Sequence, residues 1–529
     1  MTAVQVQRPS DIASDPAPPR SWARISSFAA RHRRSLVIVV PLLALVGLAN
    51  GWNLQGWPGR VNDDEGTYVS EAWAVIVPHH LSQYTYWYDH PPLGWALMAA
   101  NIWITHGFER YPSAVMAGRE FMWVVNLASC GLLYLLSRRV RMARSFAAVA
   151  VLIFGLSPLS IYFHRMVFLD NIATMWMLAA LVLAASPRRS LVAAVASGAC
   201  FALACLSKET IAVTLPALCW LLWQNCGRKT RLWNMSIFGA AFVLIIAGYP
   251  LFAALRGELL PGPGHVSLVH ALVWQLASRP GSGGLLSPHS ATFSLARSWV
   301  ALDPYSLLGG AVLTPIAFLV RRLRPMAMGF GIQAALLLKN GYVPYMYVTA
   351  MLPFGALLIA GLMDSWWQPA APALHIRLGL RVKVLRHAGV VPVMAVLMAF
   401  VIVAAPQWVN TLVAQSHIDG DAGSLAATAW INSTLKRGEL VVVDDYVWPD
   451  VTMHGKATPL WCWKVNGDPW VRRHLLPDGY KSIDYIVLPV DSSCALNPQQ
   501  LPTLVKAIAH SRVVKRFADG LVARKVTGR

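Results

Sequence analysis

The chain has 529 residues, of which 13% are charged and 56% hydrophobic, with a mean hydropathy of +0.48. An average soluble protein is about 25% charged and about 45–50% apolar, so this composition excludes a disordered chain, a fibrous one and an ordinary cytosolic enzyme. It points to several membrane spans. The net charge of +20 is of the kind nucleic-acid binders carry. Here, however, the basic residues form short clusters between apolar runs, as short cytoplasmic loops of membrane proteins do. Nucleic acid is therefore not an expected partner.

Residues 1–34 begin rich in Pro, Ser and Ala and close on Arg31, Arg33 and Arg34. They read as a disordered cytoplasmic tail. The apolar run Leu36–Ala49 follows. Basic residues before a short apolar core imitate a signal peptide, but the late position and the many later runs favour a retained first helix with its N-terminus inside. Further basic clusters lie at Arg138–Arg144, Arg188–Arg189, Arg228–Arg231, Arg321–Arg324 and Arg377–Arg386. The intervening loops hold most of the acids, among them Asp63, Asp64, Glu65, Glu71, Asp89, Glu109, Asp170, Glu209, Glu258 and Asp303. This alternation orients a bundle of about 11 transmembrane helices over residues 35–405. Their centres fall near residues 43, 125, 153, 177, 198, 216, 244, 313, 332, 355 and 397. An odd count places the C-terminus outside, with the plasma membrane as the expected location.

Two outer loops are long, 51–112 and 256–303, and connections of that length are usually functional. Residues 406–529 lose the apolar runs. Leu425–Leu435 and Leu501–Ile508 read as helices, Leu440–Val443 and Tyr485–Val490 as strands, and the end as a hairpin. The expected object is a small extracytoplasmic α/β domain. Its two cysteines, Cys462 and Cys494, fit a disulfide in an oxidising compartment and fit two free thiols equally. The motifs around Asp444–Tyr446, Trp461–Trp463 and Asp468–Trp470 suit glycan binding, or a strand-end turn with a packed core.

The first outer loop is the most informative segment. Asn62 or Asp63 is a plausible helix cap. On the helix that follows, Asp64, Tyr68 and Glu71 share one face, and Val69, Ala72, Trp73 and Ile76 make an apolar face. Such a helix would lie in the membrane interface with its first-turn acids in water. By charge alone the acids read equally as a cap on a solvated loop. Pro78 ends the helix. Aromatic residues Tyr84–Tyr88 lead into Asp89-His90-Pro91-Pro92-Leu93, a stiff entry to a helix too short to span.

These motifs in this order resemble the GT-C membrane glycosyltransferases, in particular the protein O-mannosyltransferases and the lipid A aminoarabinose transferases (glycosyltransferase family 39-like). The resemblance rests on Asp64-Glu65 with Tyr68, on Asp89-His90-Pro91-Pro92-Leu93, on Arg119, and on His164-Arg165 with Leu169-Asp170. It rests also on Ser207-Lys208-Glu209 and on Tyr345 to Pro353. It covers roughly residues 35–405 and implies an inverting transferase. A sugar on a polyprenyl-phosphate carrier would pass to an acceptor hydroxyl, of a glycan, lipid or protein, on the outer membrane face. By matching position Asp64 is the candidate base, with Glu65 as runner-up or as the group that orients it. His90, Arg165, Lys208, Tyr345 and Tyr68 are candidates for the donor and its phosphate; Asp89, Asp170, Glu209 and Arg119 would support them. The aminoarabinose branch has Lys where this chain has His90, which puts a fixed positive charge there in doubt. No cofactor is obligatory, and a divalent metal on Asp89 and His90 is allowed. The alternative reading is a transporter or lipid-linked sugar flippase with an outer domain. Against it, transporters place ionisable groups near mid-membrane, whereas here they cluster at helix ends. A third reading is a non-catalytic assembly protein.

Overall fold

The computed structural model describes residues 20–61, 64–263, 265–367, 390–495 and 497–527. The candidate caps Asn62 and Asp63 and the basic cluster Arg377–Arg386 lie outside these residues. The first helix runs Arg20–Gly51, so it begins inside the segment expected to be disordered. The reason is local. The last prolines of the tail are Pro18 and Pro19, and the Ala- and Arg-rich stretch after them suits a helix.

Each expected span centre falls inside a helix. The expected number is not reached by length, however. Among the described residues five helices are long and apolar enough to cross a membrane, and up to seven if two bent pairs are counted as spans. The difference comes from breaks. Helices Arg144–Leu156 and Pro158–Arg165 meet at 60°, and Ala291–Leu302 and Pro304–Ala317 at 111°. In each pair a proline opens the second helix, where its missing N–H costs nothing. The preceding residue caps it: Ser157 accepts from the Ser160 N–H, and Asp303 from those of Tyr305 and Ser306. Buried Asp303 also accepts from the hydroxyls of Ser157 and Ser306 and from Trp408 Nε1, and so ties three helical segments together. Helices Leu169–Ala184 and Leu191–Ser207 are apolar but shorter.

The C-terminal part is an α/β domain. Strands β1 (Leu440–Val443), β2 (Thr458–Trp461), β3 (Tyr485–Pro489), β4 (Ser511–Arg516) and β5 (Leu521–Val526) form one sheet in the order β2-β1-β3-β5-β4. β1 runs parallel to β2 and β3, and β5 antiparallel to β3 and β4. The period of two sends alternate side chains to opposite faces. Leu440 and Val442 enter one apolar cluster, Val441 and Val443 the other. The first cluster contains the Cys462–Cys494 disulfide, so these two cysteines are paired and not free thiols. Helices Ala422–Thr434 and Pro502–Ala509 and the β4–β5 hairpin lie where the sequence places them, whereas β2 was not anticipated.

The domain is seated on the first outer loop. Thr85 donates to Asp468 through its N–H (3.0 Å) and hydroxyl (3.2 Å), and Tyr84 accepts from Trp448 Nε1 at 2.8 Å. Asp444, Asp445 and Tyr446 are buried there, so this motif packs the junction. The helix Asp64–Ile76 is therefore covered by protein on both sides: Val69, Ala72 and Ala74 face inward to the bundle core or junction, and Gly66 meets the Asp445 carbonyl.

Candidate active site

Five segments converge on one polar cavity of about 550 Å³. They are the start of the helix Asp64–Ile76, the Asp89–Pro92 turn, the break after Ser207, and the loop 338–347 with the end of the helical segment Leu268–Ser278. The walls carry Asp64, Tyr68, His90, Lys208, Glu209, Gln275, Arg279, Lys339, Asn340, Tyr342 and Tyr347.

The break after Ser207 sets the central group. Lys208 is extended (φ −154°, ψ 118°) and separates the helix Leu191–Ser207 from the 3₁₀ turn Glu209–Thr214. Both residues at this break, Lys208 and Glu209, line the cavity. The helix Leu93–Thr105 comes close because residue 94 is glycine: a Cβ there would lie 2.7 Å from Leu169 Cδ2 and 3.2 Å from the Ser207 carbonyl. That approach brings His90 beside Lys208.

His90 Nδ1–H donates to Glu209, at 3.0 Å to Oε2 and 3.1 Å to Oε1. The Lys208 ammonium donates to His90 Nε2 at 2.8 Å. Burial disfavours a charge on the ring, but the Glu209 carboxylate outweighs it and raises the histidine above its ordinary value. A second ring proton must nonetheless displace Lys208 from Nε2. Glu209 is held ionised: burial pushes it up, yet His90 and Lys208 bring it down to about 2. Tyr68 is pushed well up by burial and then by Asp64, so its hydroxyl keeps its proton. Its ring lies 6.1 Å from the His90 ring and 6.0 Å from Lys208 Nζ. In the same cavity wall the Arg279 guanidinium stacks on Tyr342 at 3.4 Å and donates to Gln275 Oε1 at 2.8 Å. A second, apolar cavity of about 350 Å³ adjoins this one and shares Glu209, Ala212, Gln275 and Leu276 with it. Leu206, Phe242, Ile246 and Leu272 line its depth.

The cavity thus gathers Asp64, Tyr68, His90, Lys208 and Glu209 from the sequence candidates. It does not take in the others. Glu65 is fully buried and turned away: it accepts from Arg119 Nε (3.0 Å) and Nη2 (2.9 Å) and from the Val167 N–H (3.0 Å). One residue along a helix is about 100° round it, so adjacent acids face different surroundings. Arg119 also donates to the carbonyls of Leu54, Gln55 and Gly59, which makes it a tether of the first outer loop. Arg165 is buried, donates to the Trp52 carbonyl at 2.6 Å and lies over Trp57. Tyr345 bonds the Tyr162 hydroxyl at 2.8 Å and packs on Phe163, while its neighbours Pro344 and Met346 face the cavity. Asp170 is buried outside the cavity wall. Asp89 lines the adjoining apolar cavity instead, and a further one of about 430 Å³ that also reaches Gln275. A metal on Asp89 and His90 does not fit, since both ring nitrogens of His90 are engaged. Among the described residues no group of three or more His, Cys, Asp or Glu could hold an ion. Gln275, Asn340, Tyr342 and Tyr347 were missed by sequence reasoning. Their only signal was an amide or hydroxyl at the end of an apolar run.

Comparison with known proteins agrees with this architecture. Residues 89–252 match the family model described as dolichyl-phosphate-mannose-protein mannosyltransferase. No curated protein matches the sequence. Among solved structures, the chain is similar to ArnT from Cupriavidus metallidurans bound to undecaprenyl phosphate, at 16% identity, 92% of this chain, 97% of that chain and a TM-score of 0.58. It is similar also to the Archaeoglobus fulgidus oligosaccharyltransferase AglB in complex with an inhibitory peptide and a dolichol-phosphate, at 12% identity, 92% and 74% coverage and a TM-score of 0.51. The chain therefore has the GT-C fold.

Proposed function

We propose that this chain is an inverting glycosyltransferase that moves a sugar from a polyprenyl-phosphate carrier to an acceptor hydroxyl on the outer face of the membrane. One observation carries the reading: a single cavity holds the half-buried Asp64 carboxylate together with the cations Lys208, Arg279 and Lys339, and an apolar cavity adjoins it. A sugar phosphate on a lipid has this same division of chemistry. Structures of the same fold were solved with undecaprenyl phosphate and with a dolichol-phosphate, which supports such a ligand here.

In the proposed reaction the acceptor oxygen forms a bond to the anomeric carbon. Asp64 takes the hydroxyl proton as general base. The bond from the anomeric carbon to the phosphate oxygen breaks, and the lipid phosphate leaves with the electron pair. Lys208 and Arg279 hold the growing negative charge. His90 and Glu209 keep Lys208 in place, and Tyr68 offers a hydrogen bond from a hydroxyl that does not ionise. The acceptor, a glycan, lipid or protein, would meet the site beneath the C-terminal domain in the extracytoplasmic space, with the N-terminus in the cytoplasm.

The test uses the full chain in lipid with radiolabelled polyprenyl-phosphate sugars. Wild type should release free polyprenyl phosphate when an acceptor is present. Asp64→Asn should lose roughly 100-fold or more in rate, the scale of a general base, with an unchanged melting temperature. Equal release by both proteins would remove Asp64 from the mechanism. Release from no donor would return weight to transport.

A further inference from the structure

A second polar cavity, about 570 Å³, lies at the opposite end of the bundle. Arg139, Arg141, Arg189, Arg321 and Arg322 line it, and among the described residues no carboxylate does. The helices themselves give the separation. The 26-residue helix Ala114–Arg139 starts at the junction with the C-terminal domain and ends in this cavity, a distance of about 39 Å at 1.5 Å per residue. The helix Leu191–Ser207 begins beside Arg189 and ends beside Lys208 in the candidate active site.

Arginines at helix C-termini offset the helix dipole, and basic loops orient a membrane protein. Both roles are met by side chains that point apart into water. Here three segments far apart in sequence bring five arginines to the lining of one hollow. Arg322 pairs with Asp364 at 2.5 Å, and Arg139 donates to the Val182 carbonyl. Among the described residues Arg141, Arg189 and Arg321 form no ion pair. A guanidinium matches two phosphate oxygens at once, so the uncompensated charge suits a ligand with more than one phosphate. The rim indicates where that ligand comes from. Trp223 and Leu319, next to lining residues, are exposed apolar side chains, at 41% and 80%. Exposed aromatic and apolar groups at the ends of spanning helices sit at the level of lipid headgroups.

We propose that this cavity binds the headgroup of an anionic phospholipid, with preference for one that carries two phosphates. The inference does not depend on the glycosyl-transfer reading. It is tested on the full chain, delipidated in detergent and titrated with cardiolipin, phosphatidylcholine or inorganic pyrophosphate under native mass spectrometry. Wild type should retain cardiolipin and not phosphatidylcholine. The triple variant Arg141→Gln, Arg189→Gln, Arg321→Gln should bind roughly 100-fold more weakly. If that variant does not fold, the triple Arg→Lys variant decides, since it keeps the charge that orients the chain but loses the paired contacts; it should bind several-fold more weakly. Unchanged cardiolipin retention by a folded variant would overturn the site. Equal retention of phosphatidylcholine would overturn the charge selectivity. Pyrophosphate binding as tight as cardiolipin binding would show a soluble phosphate ligand and overturn the lipid assignment.

Discussion

Asp64 and Glu65 are neighbours with opposite surroundings. Asp64 is half-buried on the cavity wall, whereas Glu65 is sealed against Arg119 with no exposed surface. The pair is doubly hydrogen-bonded, so removing one partner strands a charge that burial makes expensive. Glu65→Ala is expected to cost about 3–5 kcal/mol, read as a lower denaturation midpoint in detergent, while transfer per folded molecule stays near wild type. A Glu65→Ala protein as stable as wild type would show that the ion pair does not hold the loop. Sequence reasoning ranked both acids as candidates because its information at this point was local. What separates them is Arg119, fifty-four positions away. The same holds for Tyr345, whose partner Tyr162 no local pattern reveals.

Among the elements, the helix Asp64–Ile76 is the most constrained, because it carries the proposed base and also bears the C-terminal domain. Gly66 makes that contact possible. In an exposed helix, Gly→Ala stabilises by up to about 1 kcal/mol. At this position an added Cβ would stand 2.1 Å from the Asp445 carbonyl oxygen and 2.5 Å from the Tyr446 nitrogen. Both are backbone atoms that cannot rotate away, and overpacking of this kind costs about 1–3 kcal/mol. The steric term wins. Gly66→Ala should lower the melting temperature and expose the junction near residue 445 to limited proteolysis; a more stable variant would mean that the domain is not seated as described. Glu209 and Lys208 show the same logic at a helix end, since the break after Ser207 turns two ordinary termini residues into the centre of a polar network.

The whole molecule is a helical bundle with a domain clamped on one end, and the clamp contains buried acids. Asp450 accepts from the Ala114 N–H at 2.7 Å, at the start of a spanning helix. Burial, only partly offset by that hydrogen bond, pushes its carboxyl up to about 7 from the ordinary 3.8. Between about pH 4 and pH 7 the folded protein therefore holds a proton that the unfolded chain has released. Stability from this group is present at low pH and is lost as the pH rises through about 7. Asp421, raised to about 6 by burial against the opposing charge of Arg119, acts in the same sense. The melting temperature of wild type should fall between pH 5 and pH 8, and Asp450→Asn should flatten part of that slope. A parallel slope in the variant would show that Asp450 is not the group that titrates.

The sequence by itself determined what depends on neighbours along the chain. Longer apolar runs gave the helix centres, and short apolar runs rich in β-branched residues gave β1 and β3. Breaks were legible only as prolines, and not as the angles that shorten the spans. The tertiary structure decided which way each polar side chain faces. It placed Glu65, Arg119 and Arg165 in the frame, brought Arg279 and Lys339 to the wall of the cavity that holds Asp64, and brought five arginines from separate segments to the lining of one hollow. The physical reason is that a side chain's direction on a helix is fixed by its own backbone. What that direction meets is fixed by packing against elements far away in sequence.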